Sequence, residues 1–151
     1  MKLLVLVGLP GSGKSTWAAR QPYSVFSSDA VRQLIADDPT IQTIHRRVFA
    51  TLRYLARQRL QLGLPVTCID ATNLTRWERR PWIRLAQDSD CDAEAVFFDT
   101  PLEVCLQRNS HRDRIVPPEA VREMSCKMEP PSLEEGFARI TIPGPDRERS
   151  T

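Results

Sequence analysis

Gly8-Leu9-Pro10-Gly11-Ser12-Gly13-Lys14-Ser15 follows an apolar, β-branched run at residues 3–7 and precedes a helical pattern at residues 15–20. In that strand–loop–helix setting, G-x-x-x-x-G-K-[ST] is a cradle for nucleotide phosphates. Glycine admits backbone angles that bring main-chain N–H groups close to phosphate oxygens. The helix that follows adds unpaired N–H groups and the positive end of its dipole. Gly11, Ser12, Gly13, Lys14, Ser15 and Thr16 are therefore the expected nucleotide contacts. Lys14 is placed to reach the β- and γ-phosphates, and the Ser15 hydroxyl to bind Mg²⁺. The expected cofactors are ATP, or another nucleoside triphosphate, and Mg²⁺.

Outward from this loop, strand and helix patterns alternate. Strands are expected at residues 3–7, 23–27, 65–69, 93–98 and 137–142. Helices are expected at 15–20, 29–36, 41–62, 75–88, 100–109 and 117–128. In the longest helix, Ile41, Ile44, Val48, Leu52 and Leu55 recur at the 3.6-residue period, and Gly63 and Pro65 end it. Arg46, Arg53 and Arg57 fall on the opposite face and read as a solvated surface, with a nucleic-acid-facing role as the lesser alternative. Thr75 with Glu78, and Thr100 with Glu103, have capping-box spacing. Alternation of this kind predicts an α/β fold, a doubly wound parallel sheet of about five strands. Ligands of such sheets bind at the carboxyl ends of the strands. Asp29, the segment from Asp70 to Asn73, and Asp99 all follow strands and converge there with the phosphate loop. One domain is expected over residues 1–142, with a loose polar tail over 143–151.

Composition sets outer bounds. The 151 residues, 41% hydrophobic and 26% charged, suit one domain with a real core. A net charge of +2 does not predict a broad nucleic-acid-coating surface, though it permits local recognition of an anion. Cys68, Cys91, Cys105 and Cys126 form no C-x-x-C pair, so reduced thiols in a cytoplasmic protein are the expectation. No apolar run is long enough to span a membrane. Residues 2–7 faintly mimic a secretory signal, but the run is short and no small-residue cleavage site follows. Trp17, Trp77 and Trp82 read as packing residues; a base-stacking role would need one of them exposed in the crevice.

Phosphoryl transfer needs positioning, charge neutralisation and a base beside the attacking hydroxyl. Asp29 is the best candidate base, and Arg32, three residues on, shares its helix face. Arg32 can hold an anionic group on the acceptor; the alternatives are a helix N-cap for Asp29 and a solvent-facing charge for Arg32. Arg108, Arg112 and Arg114 lie in a segment poor in apolar residues and read as a basic lid over the phosphates. Asp70 can hold the Mg²⁺ shell, with Thr72 on the same side of an extended chain. Equally, Asp70, Thr72 and Asn73 can satisfy loop and helix-terminus N–H groups.

The residues then resemble one family. Gly11–Ala18 (G-S-G-K-S-T-W-A), Ser28-Asp29-Ala30-Val31-Arg32, Asp70-Ala71-Thr72-Asn73-Leu74 and Arg108-Asn109-Ser110-His111-Arg112 occur in this order. Together they are similar to the kinase domain of polynucleotide 5′-hydroxyl kinases, within the adenylate-kinase-like phosphate-loop kinases. The resemblance covers about the first 130 residues. It implies that Asp29 is general base for a 5′-hydroxyl of RNA or DNA and that Arg32 grips the terminal nucleotide's phosphate. Thr72 and Asn73 complete the acceptor side. Lys14 and Arg112 would stabilise the transferring phosphoryl, Ser15 and Asp70 would hold Mg²⁺, and Arg108 would support a short lid. No phosphatase or ligase module accompanies these motifs, so separate proteins are expected to supply those activities. The alternatives are a kinase of a small molecule (an antibiotic, sugar acid or nucleotide sugar) and a nucleotide-binding module without transfer. Oligomeric state is not legible.

Overall fold

The computed structural model describes residues 1–112 and 115–144. Arg114 and residues 145–151 of the expected tail lie outside these. Five parallel strands form one sheet in the order β2-β3-β1-β4-β5. They are β1 (Lys2–Val7), β2 (Val25–Ser27), β3 (Val66–Asp70), β4 (Asp92–Phe97) and β5 (Arg139–Thr141). The helices are α1 (Lys14–Ala19), α2 (Ser28–Ala36), α3 (His45–Gln61), α4 (Arg76–Asp88), α5 (Leu102–Asn109) and α6 (Pro118–Lys127). A 3₁₀ turn at Leu133–Glu135, not expected from the sequence, precedes β5.

β1 reads as a continuous apolar run because it is covered on both faces. Leu3, Val5 and Val7 point to one face, with Val48, Leu52 and Ala56 of α3 and Trp82, Ile83 and Ala86 of α4. Leu4 and Leu6 point to the other, with Ala18 of α1, Cys68, Val96 and Phe98. Full burial of a Val or Leu side chain contributes about 1.5–3 kcal/mol, so these two layers supply a large part of the favourable burial term.

Helix α3 starts at His45, four residues later than expected. The Asp38 carboxylate accepts from the Thr40 N–H at 2.8 Å and from its hydroxyl at 2.6 Å, a local turn that competes with helix. The buried stripe is Val48, Leu52, Ala56 and Leu60. Asp29 is not a helix cap: Ser27 caps α2, its hydroxyl accepting from the Ala30 N–H. At α4 half of the expected capping box forms. Thr75 accepts from the Glu78 N–H, but the Glu78 carboxylate reaches the Leu74 N–H instead. At α5 the box does not form. Pro101 is the N-cap, and the Thr100 hydroxyl donates 2.9 Å to the Ser12 carbonyl.

β1 passes the chain to β2 by way of α1 on one face. Its neighbour β3 passes it to β4 by way of α4 on the other. The loops leaving β1 and β3 therefore part, and a crevice opens at their carboxyl ends.

Candidate functional site

The phosphate loop turns on two glycines with left-handed angles, Gly11 at φ +80° and Gly13 at φ +102°. At Gly11 a β-carbon would stand 2.4 Å from the Cys105 carbonyl oxygen, so the loop lies directly on α5. Gly13 opens α1 without a side-chain cap, which leaves its first N–H groups facing the crevice. The guanidinium of Arg108 lies over Gly13, 3.5 Å from where a β-carbon would be. Thr100, bonded to the Ser12 carbonyl, ties the loop to the end of β4, where its capping-box spacing with Glu103 predicts a helix start.

Lys14 is buried, and its ammonium donates 2.8 Å hydrogen bonds to the carbonyls of Gly8 and Leu9. Burial lowers its pKa to about 8; the Asp70 carboxylate opposes this and the Arg112 guanidinium adds to it. Ser15 donates to the Asp70 carboxylate at 3.0 Å. Burial pushes the Asp70 carboxyl above its ordinary range, while Lys14 and then the Ser15 hydrogen bond pull it down. The Ser15 hydroxyl and Asp70 carboxylate are both oxygen donors beside an anion cradle. That set fits Mg²⁺, which takes one or two carboxylates and completes its shell with water and substrate phosphate.

Across the crevice stands the head of α2. Arg32 is buried, and its Nη1 donates to the Asp29 carboxylate at 3.2 Å. The charge of Asp29 acts on both Lys14 and Asp70, so the two walls face the same space. Arg112 follows α5 by two further turns, His111 N–H to the Arg108 carbonyl and Arg112 N–H to the Asn109 carbonyl. Its charge likewise acts on Lys14 and Asp70.

One residue of the Asp70–Asn73 segment differs from its expected acceptor role. Asn73 is turned inward, with its backbone at φ +46°. Its amide donates to the Leu6 carbonyl at 2.8 Å and its oxygen accepts from the Trp82 indole at 3.3 Å. With 2% of its surface exposed, it holds the strand ends together and cannot contact an acceptor. Thr72 uses its carbonyl to receive the Gly8 N–H. Trp82 packs in the core as expected, and Trp17 sits edge-on to Phe98 at 5.8 Å. Trp77 does not pack: it is 77% exposed. Asn109, quoted above only as part of a motif, is buried. Its amide donates to the Val116 carbonyl at 2.6 Å and its oxygen accepts from the Val116 N–H at 3.1 Å, closing the base of the basic segment.

A family profile described as an AAA domain, AAA_33, matches residues 3–131. The chain belongs to this family of phosphate-loop kinase domains. The domain is 26% identical over 144 residues to a bifunctional polynucleotide phosphatase/kinase of Schizosaccharomyces pombe, covering 92% of this chain and 32% of that protein. It is 24% identical over 139 residues to an L-seryl-tRNA(Sec) kinase of Methanococcus maripaludis, covering 87% of this chain and 54% of that one. Among solved structures, it matches a chain of the Pnkp1/Rnl/Hen1 RNA repair complex with a TM-score of 0.71 at 20% identity, over 83% of this chain and 43% of that one. The AAA domain thus spans about a third to a half of the length of these relatives. The sheet order, the cradle and these likenesses agree on a doubly wound phosphate-loop kinase fold.

Proposed function

We propose that the domain transfers the γ-phosphoryl of ATP to the 5′-hydroxyl end of RNA or DNA. The observation that carries this is the placement of Asp29: bonded to Arg32 at 3.2 Å, with a charge that acts on Lys14 and Asp70 across the crevice. A carboxylate so placed can take the proton of an acceptor hydroxyl as its oxygen attacks the γ-phosphorus. The bond to the β–γ bridging oxygen breaks, and ADP leaves. Lys14 and Arg112 offset the charge on the transferring group. Arg32 holds a phosphate of the acceptor strand, so that the hydroxyl is presented in line. Ser15 and Asp70 would hold Mg²⁺, which when bound neutralises phosphate charge. In this reading residues 1–142 act as one cytoplasmic kinase domain. The named activity of the Schizosaccharomyces pombe relative supports the acceptor class.

The Methanococcus maripaludis relative favours a second reading, a hydroxyl carried on a small group attached to RNA. One assay separates the readings. The protein is incubated with γ-labelled ATP, Mg²⁺ and a 5′-hydroxyl oligonucleotide, with and without a 3′-phosphate. Label on the 5′ end is expected. Label only on seryl-tRNA or on small hydroxyl compounds, or hydrolysis alone, overturns the proposal. Asp29→Ala is expected to lower transfer by about 10²–10⁴-fold with ATP binding retained.

A further inference from the structure

Helix α3 carries five arginines and no carboxylate in its 17 residues, and α4 carries four arginines against Glu78 and Asp88. The whole chain nets only +2, so basic charge is concentrated on these two helices. Two of the nine arginines are engaged in the fold. Arg59 donates to the Thr67 hydroxyl and the Val66 carbonyl, and Arg79 is buried against Glu135. By contrast, Arg53, Arg57, Arg76, Arg80 and Arg84 have no carboxylate partner among the described residues.

Four of these line a cleft of about 680 Å³ between α3 and α4, Arg53 and Arg57 on one wall, Arg80 and Arg84 on the other. A second depression of about 550 Å³ adjoins it, with Arg76 on its lining. Trp77, Arg80 and Arg84 line both, and so form the ridge between them. Trp77 is 77% exposed, in the first turn of α4, and the Arg80 guanidinium sits 5.8 Å from its ring. The nearby carboxylates are Asp88 at the far end of the cleft and Glu134 and Glu135 in the second depression. Glu135 is neutralised by Arg79.

Both helices run from the carboxyl edge of the sheet toward its amino edge, so the cleft leads away from the crevice that holds the phosphate loop. A 13-residue helix is about 20 Å long, enough for a short run of nucleotides. A polyanion compensates four guanidinium groups that lack carboxylate partners, and an exposed indole beside them offers a stacking face to a base of any sequence.

We infer that the α3–α4 cleft binds single-stranded nucleic acid, its phosphates on Arg53, Arg57, Arg80 and Arg84 and one base stacked on Trp77. The inference rests on the polynucleotide reading for its choice of occupant. It adds a second contact, outside the crevice, that makes a long acceptor better than a terminal dinucleotide.

The test is binding without catalysis. A 3′-fluorescein oligouridylate of twelve nucleotides, blocked by a 5′-phosphate, is titrated with protein and no ATP at several salt concentrations. Arg80→Glu/Arg84→Glu is expected to weaken binding about tenfold or more and to lower the log–log salt slope by about 1.4, two phosphates' worth for a single strand. Trp77→Ala is expected to weaken it about fivefold or more with the slope unchanged, and Trp77→Phe to restore it. All variants should melt like the wild type. With a dinucleotide acceptor, kcat and KM should not move, whereas KM for the 12-mer should rise.

Unchanged binding in both variants overturns the inference. So does competition by polyglutamate as strong, charge for charge, as by oligouridylate together with a silent Trp77→Ala, which would mark an acidic-protein surface. The two proposals fail separately. Oligonucleotide binding that depends on Trp77, without label transfer, removes the kinase reading and leaves the cleft. Label transfer with one KM for short and long acceptors, in wild type and variants alike, removes the cleft and leaves the kinase.

Discussion

The Ser15 hydroxyl donates a 3.0 Å hydrogen bond to the Asp70 carboxylate across 55 positions of sequence. The bond joins the first turn of α1 to the end of β3 and brings two oxygen donors to the mouth of the cradle. If this pair holds Mg²⁺, Asp70→Asn should raise the Mg²⁺ concentration for half-maximal transfer about tenfold or more, since disturbing even an outer-shell partner of a metal ligand costs about 10–100-fold. Ser15→Ala should act in the same direction. A metal titration of the transfer rate checks both, and an unchanged midpoint would place the metal elsewhere.

Lys14 gives a stability signature with a definite sign. Its folded pKa of about 8 lies below the ordinary lysine value of 10.5, so between these values the unfolded chain binds more protons. Stability of the ligand-free domain should therefore rise with pH from about 8 to 10.5, by about 3 kcal/mol from this group alone. Tyr23 and Cys68, each raised by burial to about 12, act in the opposite direction at high pH. The Lys14 contribution is isolated as the difference between wild type and Lys14→Met in urea unfolding across the range. Bound phosphate favours the charged lysine, so ATP affinity should fall as pH rises through 8, and calorimetry in two buffers should detect proton uptake.

Gly11→Ala tests the seat of the loop. Its φ of +80° disfavours alanine, and the new β-carbon would meet the Cys105 carbonyl, a backbone atom that cannot swing aside. A loss of about 1–3 kcal/mol is expected, together with a large loss of ATP affinity. Gly63→Ala also has a positive φ but meets nothing within 4 Å, so it separates backbone strain from collision.

Arg79 and Glu135 form a buried bidentate pair, with bonds of 2.8 and 3.0 Å. Arg79 also donates to the carbonyls of Asn73 and Leu74, so it links α4 to the segment after β3. Glu135→Ala should cost about 3–5 kcal/mol, because the guanidinium would remain buried without its partner. A thermal melt checks this. Glu135→Gln should recover part of the loss by hydrogen bonding.

The cradle, the alternation of strands and helices and the Asp29–Arg32 spacing were determined by local sequence alone. Each is set within a few residues, by glycine's backbone freedom, by apolar period or by helix geometry. The loop convergence followed from the parallel sheet. What only the tertiary structure decided lies between elements. Asn73 and Asp70 are near neighbours in one loop segment, yet packing of Trp82 against the sheet turns the first inward while Asp70 meets Ser15. Thr100 looked like a helix cap and instead holds the phosphate loop, because β4 ends beside β1. In the sequence Arg53 and Arg57 read as solvated charge on α3 or, as the lesser alternative, a face toward nucleic acid, and the +2 net charge does not predict a broad basic surface. Only the side-by-side packing of α3 and α4 sets them opposite Arg80 and Arg84 with Trp77 between. Net charge sums over the whole chain, whereas an anion responds to the charges within a Debye length of about 8 Å.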